Sequence, residues 1–297
     1  MGKSATTKCG LALIIALAVC AITPVTSLSE THVMIMTYNI LDAGMPTDDY
    51  SHDWYRLDEI IDLIGGVNPD ILAIQEAWEW EHNWPPLESV GSRLGLPYFA
   101  SPPNEDGCSS LVLFSRFEIV SAENWPDLFV TGAMRAGIQL DSGDILHVFN
   151  THLIGERPDF NSDWVRQQEA KRLIEQMEPY SEGLVVLVGD LNFKIQELLR
   201  CAECPSCCLG RPDAWRIKPG QLLEQAGWSL AACEEAGYEQ AWVPSGLLPA
   251  AQELEIDMEK DELYRLSDHL PVVIELVIDW PNHPRSPSGP PCESEQR

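Results

Sequence analysis

The chain has 297 residues, 45% of them hydrophobic, and carries a formal net charge of −27 at pH 7. Its length and apolar content are sufficient for a large core, in one large domain or two small ones. Such an acidic surface argues against a protein that grips duplex DNA through Lys and Arg, but it is compatible with binding of divalent cations.

The first 29 residues have the pattern of a signal peptide. Lys3 and Lys8 precede an apolar run at 9–22, and a short segment with smaller residues follows at 25–27. The run is shorter than the roughly 20 apolar residues that a membrane span needs. We therefore expect residues 1–29 to be removed and the protein to be secreted to the extracellular space without a transmembrane span. An uncleaved signal anchor is the alternative.

Predicted strands and helices alternate along most of the remaining chain, which indicates a layered α/β domain. Strands are expected at 33–38, 71–74, 111–115, 145–150, 184–188 and 270–278. Helices are expected at 55–64, at 78–94 with a break at Pro85 and Pro86, and at 163–177 with Ser162 as the N-cap. Residues 281–297 are rich in Pro, Ser and Glu, and are predicted to form a disordered tail.

Polar residues with useful chemistry occur where these apolar strands begin or end. They are Asn39, Gln75, Glu76, Asn150, His152, Asp190, Asn192, Ser267, Asp268 and His269. Side chains at strand ends can converge on one cleft, where carboxylate and amide oxygens suit Mg²⁺ and a His beside an Asp suits proton transfer or charge stabilisation. Taken singly, each residue also fits an ordinary role, such as a cap, a turn or a satisfied interior histidine.

The order of the motifs is more specific than any one of them. TYNI (37–40), QE (75–76), NTHL (150–153), GDLN (189–192) and SDHLPV (267–272) follow one another along the chain. This order resembles the signature of the endonuclease/exonuclease/phosphatase superfamily. The resemblance implies one domain at 30–280 with the α/β fold of a four-layer sandwich, in which two packed mixed β-sheets are flanked by helices.

The resemblance also implies a metal site. Glu76 corresponds to the main metal-binding carboxylate, Asn39 lies beside it, and Asp268 is a further candidate ligand. The expected cofactor is Mg²⁺, with Mn²⁺ or Ca²⁺ as alternatives.

The remaining motif residues correspond to catalytic positions. His152 resembles the histidine that contacts the scissile phosphate, and Asp190 the group that orients or deprotonates the attacking water. Asn192 resembles the amide that holds a phosphate oxygen. His269 corresponds to a base or transition-state stabiliser, whose tautomer Asp268 would fix.

Three further residues and one segment bear on this comparison. Arg135 is expected near the phosphate, and Ser109 and Ser110 are weaker candidates for hydrogen bonds to it. Relatives often have an Asp-Tyr-Ile strand before the final motif, but residues 254–266 are strongly acidic and do not fit such a strand.

The family does not determine the substrate. The first hypothesis is a secreted phosphodiesterase that acts on a phospholipid head group, as sphingomyelinases do, with transient contact to a membrane surface. The second is a secreted nuclease, for which residues 194–218 offer five basic and three acidic residues. The third is an inositol phosphate phosphatase, which the segment GDLNFKI (189–195) resembles. A non-catalytic binding protein would be expected to lose an acidic or histidine position, and none is lost.

Cysteine usage agrees with export. Two of the nine cysteines lie in the predicted signal peptide. The other seven are Cys108, Cys201, Cys204, Cys207, Cys208, Cys233 and Cys292. Disulfide bonds among them are favoured over a zinc site at 201–208, and the odd number leaves at least one thiol free or paired with another molecule.

Overall fold

The computed structural model describes residues 30–41, 53–77, 86–101, 110–157, 161–193, 218–234 and 237–278. The predicted signal peptide, the predicted tail, Ser109 and the segment 194–217 lie outside these ranges. So do all the cysteines except Cys233, whose thiol is free. No helix in the described ranges is long and apolar enough to cross a membrane.

The first sheet has six strands in the order β11-β12-β1-β2-β4-β3. These strands are β1 (Thr31–Asn39), β2 (Ile71–Gln75), β3 (Tyr98–Ala100), β4 (Val112–Ser115), β11 (Ala251–Leu254) and β12 (Val272–Ile278). β1 runs parallel to β2, with Asn39 opposite Gln75, and antiparallel to β12.

The second sheet also has six strands, in the order β5-β6-β7-β8-β10-β9. They are β5 (Glu118–Asn124), β6 (Gly132–Gln139), β7 (Ile145–His152), β8 (Leu184–Asp190), β9 (Trp228–Cys233) and β10 (Glu239–Pro244). β7 and β8 are parallel, with His152 opposite Asp190. Both sheets are therefore mixed, as predicted.

In the described parts of the chain, five α-helices flank the sheets. They are α1 (Asp53–Val67), α2 (Leu87–Leu94), α3 (Ser162–Met177), α4 (Pro219–Gln225) and α5 (Lys260–Leu266). In the predicted helix 78–94, the described part begins after Pro86, while 78–85 lie outside the described residues. Asn161 caps α3 by accepting a hydrogen bond from the Trp164 amide at 3.1 Å, so the prediction that Ser162 is the N-cap is wrong.

Among the described residues, the core consists of three apolar clusters, which lie between the four layers. Alternate strand residues such as Ile35 and Val148 face each other between the sheets. Their neighbours face outward, where Met36 packs towards α1 and Phe149 packs with the side chains of α3. Full burial of one such side chain contributes about 1.5–3 kcal/mol. The predicted four-layer sandwich is thus confirmed.

The acidic segment 254–266, which does not fit the strand that relatives often have before the final motif, has a different structure here. Residues 260–266 form helix α5, so the acidic segment is not the late strand that relatives carry before the final motif. The strand next to β8 in this chain is β10, in which Glu239 lies opposite Asp190. The sequence pattern also missed several elements, namely β3, β5, β6, β9, β10, β11, α4 and α5.

Candidate active site

The predicted site residues meet where the parallel strand pairs of the two sheets end. The carboxyl ends of β1 and β2 lie at one edge of the first sheet, and those of β7 and β8 lie across from them. Contacts connect β1 with β8 and β2 with β7. Since residues of one strand face alternate sides, Asn39, His152 and Asp190 all point into the space between the sheets.

Asp190 is the centre of the arrangement and is almost fully buried. Its Oδ2 accepts hydrogen bonds from Nδ2 of Asn39 and Nδ2 of Asn192, each at 3.1 Å, and its Oδ1 accepts one from the Asn192 amide at 2.9 Å. The same Oδ2 lies 3.4 Å from Nε2 of His152 and 3.6 Å from Nε2 of His269. Side chains from three distant motifs therefore surround one carboxylate.

Glu76 lies beside this carboxylate and is more exposed. Its Oε1 accepts a hydrogen bond from Nδ2 of Asn39 at 2.8 Å and lies 3.8 Å from Nε2 of His152. Glu76 and Asn192 both have left-handed backbone conformations, with φ of 53° and 52°. Such conformations are unfavourable for residues with a side chain and are concentrated at functional sites.

The chemistry of these residues fits a divalent cation. Ligand atoms of Glu76, His152 and Asp190 all lie within 4.8 Å of one another. Two carboxylates so close together require positive charge nearby, and hard cations such as Mg²⁺ prefer carboxylate oxygen.

The hydrogen bonds of Asn39 give it a role other than the predicted one of metal ligand. Its amide nitrogen donates to both carboxylates, while its Oδ1 accepts from the Leu41 amide at 3.0 Å. In this arrangement Asn39 holds Glu76 and Asp190 together, and its role as a ligand stays a prediction.

Asp268 lies beside His269 but is not hydrogen-bonded to it. Its side chain is 63% exposed, and its Oδ1 lies 3.9 Å from Nε2 of His269, too far for a hydrogen bond. The other ring nitrogen of His269, Nδ1, lies 3.3 Å from Oε1 of Glu234. Glu234, and not Asp268, is therefore the acid that can fix the tautomer of His269.

Glu234 is buried between β9 and β10 and is held by several donors. Its Oε1 accepts from the amides of Tyr238 at 3.3 Å and Glu239 at 3.1 Å, and its Oε2 accepts from the Leu270 amide at 2.7 Å. Burial by itself lowers the pKa of His269, but the hydrogen bond with Glu234 and the charges of Asp190 and Glu239 outweigh it and raise that pKa to about 10.

Glu239 is a second acid that the sequence analysis did not identify. It is completely buried, and Thr37 donates its hydroxyl hydrogen to Oε1 of Glu239. Burial, followed by the charge of Asp190, raises the pKa of Glu239 well above the usual value of a carboxyl. An acid two residues before the short apolar run 241–243 was the available signal.

Buried polar side chains connect the two sheets beneath the site. Nε2 of Gln75 donates to Oγ1 of Thr37 at 3.0 Å and to Oδ1 of Asn150 at 2.7 Å. Asn150 in turn donates to the carbonyl oxygens of Ile74 at 3.0 Å and Val112 at 3.2 Å. Because breaking such a buried network leaves unpaired polar groups, it keeps the strand ends in register.

Two loops that carry site residues are tied to each other. Ser267 donates its hydroxyl hydrogen to the carbonyl oxygen of Asn39 at 2.7 Å. Arg56 of α1 donates to the carbonyl oxygens of Leu41 at 2.6 Å and Leu266 at 3.3 Å. These bonds fix the loop after β1 relative to the loop that carries His269.

Arg135 and Ser110, which were weaker candidates for contacts with the phosphate, lie in different places. Arg135 is buried on the outer, helix-facing side of β6, where its guanidinium contacts His147 at 2.9 Å, Glu123 at 3.0 Å and the Tyr180 ring at 4.6 Å. The prediction that Arg135 contacts the phosphate is therefore wrong. Ser110 lies next to the site, where its carbonyl oxygen accepts from the Ala77 amide at 2.9 Å.

Comparison with known proteins gives one match to a family. The profile of the Endonuclease/Exonuclease/phosphatase family matches residues 36–219. No curated protein matches the chain in sequence.

Solved structures share the fold at low sequence identity. An endonuclease/exonuclease/phosphatase family protein from Bacteroides thetaiotaomicron is 17% identical, with a TM-score of 0.57 over 84% of this chain and 99% of that chain. Sphingomyelinase C from Streptomyces griseocarneus is 14% identical, with a TM-score of 0.57 over 83% and 99%. The human Nocturnin catalytic domain with bound sulfate is 18% identical, with a TM-score of 0.53 over 84% and 98%.

Proposed function

Because the chain belongs to the endonuclease/exonuclease/phosphatase family, we propose that it hydrolyses a phosphodiester by attack of water, assisted by a divalent metal ion and by histidine. The observation that carries the proposal is the convergence of His152, His269, Asn39 and Asn192 around the Asp190 carboxylate. These residues come from separate segments of the chain, and two imidazoles beside one buried carboxylate suit proton transfer and charge stabilisation.

Glu76 and Asp190 are the residues that would hold the metal ion, for which we propose Mg²⁺. Asp268, which is exposed beside the cleft, is a further proposed ligand. When bound, such an ion supplies positive charge to the phosphate oxygens and makes bound water more acidic.

The chain's own side chains would position the reactants. Oδ2 of Asp190 is the acceptor that would orient the attacking water and take its proton. Nε2 of His152 and Nε2 of His269 face this oxygen from two sides, so each can donate to a phosphate oxygen placed between them. Asn192, with its amide close to the same carboxylate, would hold another phosphate oxygen.

For the substrate we propose a phospholipid head group. The net charge of −27 disfavours a nucleic-acid polyanion, and a sphingomyelinase C is among the structures that share the fold. We also propose that the protein is exported after removal of residues 1–29, which mass spectrometry of the secreted product would test. A secreted nuclease is the alternative, based on the basic residues of 194–218.

The test is hydrolysis of bis(4-nitrophenyl) phosphate with Mg²⁺, followed by sphingomyelin vesicles, plasmid DNA and inositol phosphates in parallel. Asp190→Asn and His269→Ala are expected to lower kcat/KM by about 10²- to 10⁴-fold. Chelation by EDTA should abolish turnover, and added Mg²⁺ should restore it.

The matched control is His32→Ala, which removes an exposed histidine of β1 outside the site and should leave turnover unchanged. Full turnover in EDTA, or in both site variants, would contradict the proposed reaction. Nicking of plasmid DNA without hydrolysis of sphingomyelin would replace the proposed substrate by the alternative.

A further inference from the structure

A second concave site lies on the outer face of the first sheet, away from the strand ends. It is a cavity of about 600 Å³ between α1, α5 and the segment that connects β11 to α5. This volume is within the range of small-molecule sites, about 300–1,000 Å³.

The floor of the cavity is apolar and partly exposed. Met34, Val67, Leu254, Ile256 and Met258 line it, and all five are partly exposed. Leaving this much apolar surface open to water costs free energy unless a ligand covers it.

The rim of the cavity is strongly acidic. It carries Glu59, Asp62, Glu255, Asp257 and Glu262, together with the one basic residue Arg265. The guanidinium of Arg265 is already paired with Glu59 at 2.7 Å across the gap between α5 and α1. Arg93 does not line the cavity, but its Nη2 lies 3.9 Å from Oδ1 of Asp62. Five carboxylates against these two guanidinium groups leave a net charge of about −3 around an apolar floor.

The alternating sequence of the connecting segment builds both features. In 253–259, the apolar residues Leu254, Ile256 and Met258 turn inward, while the acids between them, such as Glu255 and Asp257, are exposed. The first part of the acidic segment 254–266, which did not fit a strand of the relatives, therefore forms one wall of this cavity.

We propose that this cavity binds an amphiphilic organic cation, a ligand with an apolar body and a primary amine at one end. The apolar body would cover the floor and the ammonium group would lie among the rim carboxylates. Charge complementarity excludes an anionic ligand and a phospholipid surface of negative charge, and it disfavours a second copy of this acidic chain. This binding is independent of the proposed hydrolysis.

The probes are octylamine, octanol and octanoate, which share an eight-carbon body and differ in head-group charge. Binding to the whole mature protein is measured by isothermal titration calorimetry at low salt, with EDTA present. Octylamine is expected to bind about tenfold more tightly than octanol, which corresponds to three exposed ion pairs, and octanoate is expected not to bind. Higher salt should weaken the binding of octylamine but not that of octanol.

Gly66 provides a variant that blocks the cavity without disturbing the fold. Gly66 lines the cavity, and a Cβ added to it meets no atom within 4 Å. Gly66→Leu should therefore reduce binding of octylamine and octanol at least tenfold. Gly65→Ala is the matched control in the same helix, because its Cβ meets only Leu94 at 4.0 Å and does not line the cavity.

A second variant tests the charge. Glu255→Gln, Asp257→Asn and Glu262→Gln together should weaken octylamine about tenfold and leave octanol unchanged. Neutralisation of three exposed acids elsewhere, Glu118, Asp141 and Glu182, should change neither. The proposal is overturned if octylamine does not bind, if Gly66→Leu binds it as well as the unaltered protein, or if octylamine and octanol bind equally.

Discussion

Replacement of Glu234 by glutamine separates the orientation of His269 from the rest of the site. The Glu234 carboxylate accepts from three backbone amides, those of Tyr238, Glu239 and Leu270, and its Oε1 lies 3.3 Å from Nδ1 of His269. A glutamine of the same shape can keep only one acceptor oxygen. If that oxygen stays on the side of His269, the Leu270 amide loses its partner at 2.7 Å.

The lost bond is to a charged acceptor, so Glu234→Gln should reduce the free energy of unfolding by about 1.5–3 kcal/mol. The pKa of His269 should fall from about 10, because the hydrogen bond with Glu234 is the largest contribution that raises it. We expect kcat to fall about 10- to 100-fold, as is common for groups that orient a catalytic side chain. Urea unfolding, imidazole NMR of the metal-free protein and steady-state kinetics measure the three effects.

Asp268→Asn is the informative comparison. Asp268 lies 3.9 Å from His269 and is exposed, so its neutralisation should leave the pKa of His269 nearly unchanged, whatever it does to metal binding. If Asp268→Asn lowered that pKa and Glu234→Gln did not, the assignment of Glu234 as the positioning residue would be refuted.

Four other substitutions, the last of them a control, are tested by urea unfolding. The raised pKa of Glu239 means that the folded state favours the protonated acid, so stability is lost as pH rises above the unfolded pKa of this group. Glu239→Gln should remove this loss, so that the stability of the variant relative to the unaltered protein is higher at pH 8 than at pH 5. Burial, then a nearby arginine, lowers the pKa of His147 to about 4, so stability is lost as pH falls from 6.5 to 4, and His147→Gln should lose less between pH 7 and pH 5. A Cβ on Gly189, where φ is 138°, would lie 1.9 Å from the Thr151 carbonyl oxygen, so Gly189→Ala should cost about 3 kcal/mol or more. Gly143→Ala, where φ is 90° and the added Cβ meets no atom, should cost about 1 kcal/mol. Equal costs for the two alanine variants would show that the positive φ alone, and not the contact with Thr151, sets the loss of stability.

Several parts of the structure could be predicted from local pattern. Apolar runs such as 71–74 and 184–188 form buried central strands, because residues covered on both faces of a sheet leave no polar alternation. The edge strand β5 was missed because its mostly exposed residues give no clear period. The other edge strand of the second sheet, β9, has no exposed residue, and its partly buried residues do not alternate with buried ones.

The candidate site divides in the same way. Asp190, His152 and Asn39 stand directly at the ends of recognisable strands, and the structure brings them together as the motif order indicated. Arg135 and Asp268 were placed by analogy with relatives, and nothing in their local sequence shows which face of a strand or which side of a loop they occupy.

The sequence by itself determined the layered α/β class, the family and the group of motif residues that meets at Asp190, because periodicity and motif order are local properties of the chain. Only the tertiary structure decided that Glu234 partners His269, that Glu239 lies buried beside Thr37, and that the acidic segment 253–259 walls a cavity. The physical reason is distance along the chain: these contacts join residues far apart in sequence, and they depend on the register of β10 against β8 and on the packing of α5 against α1.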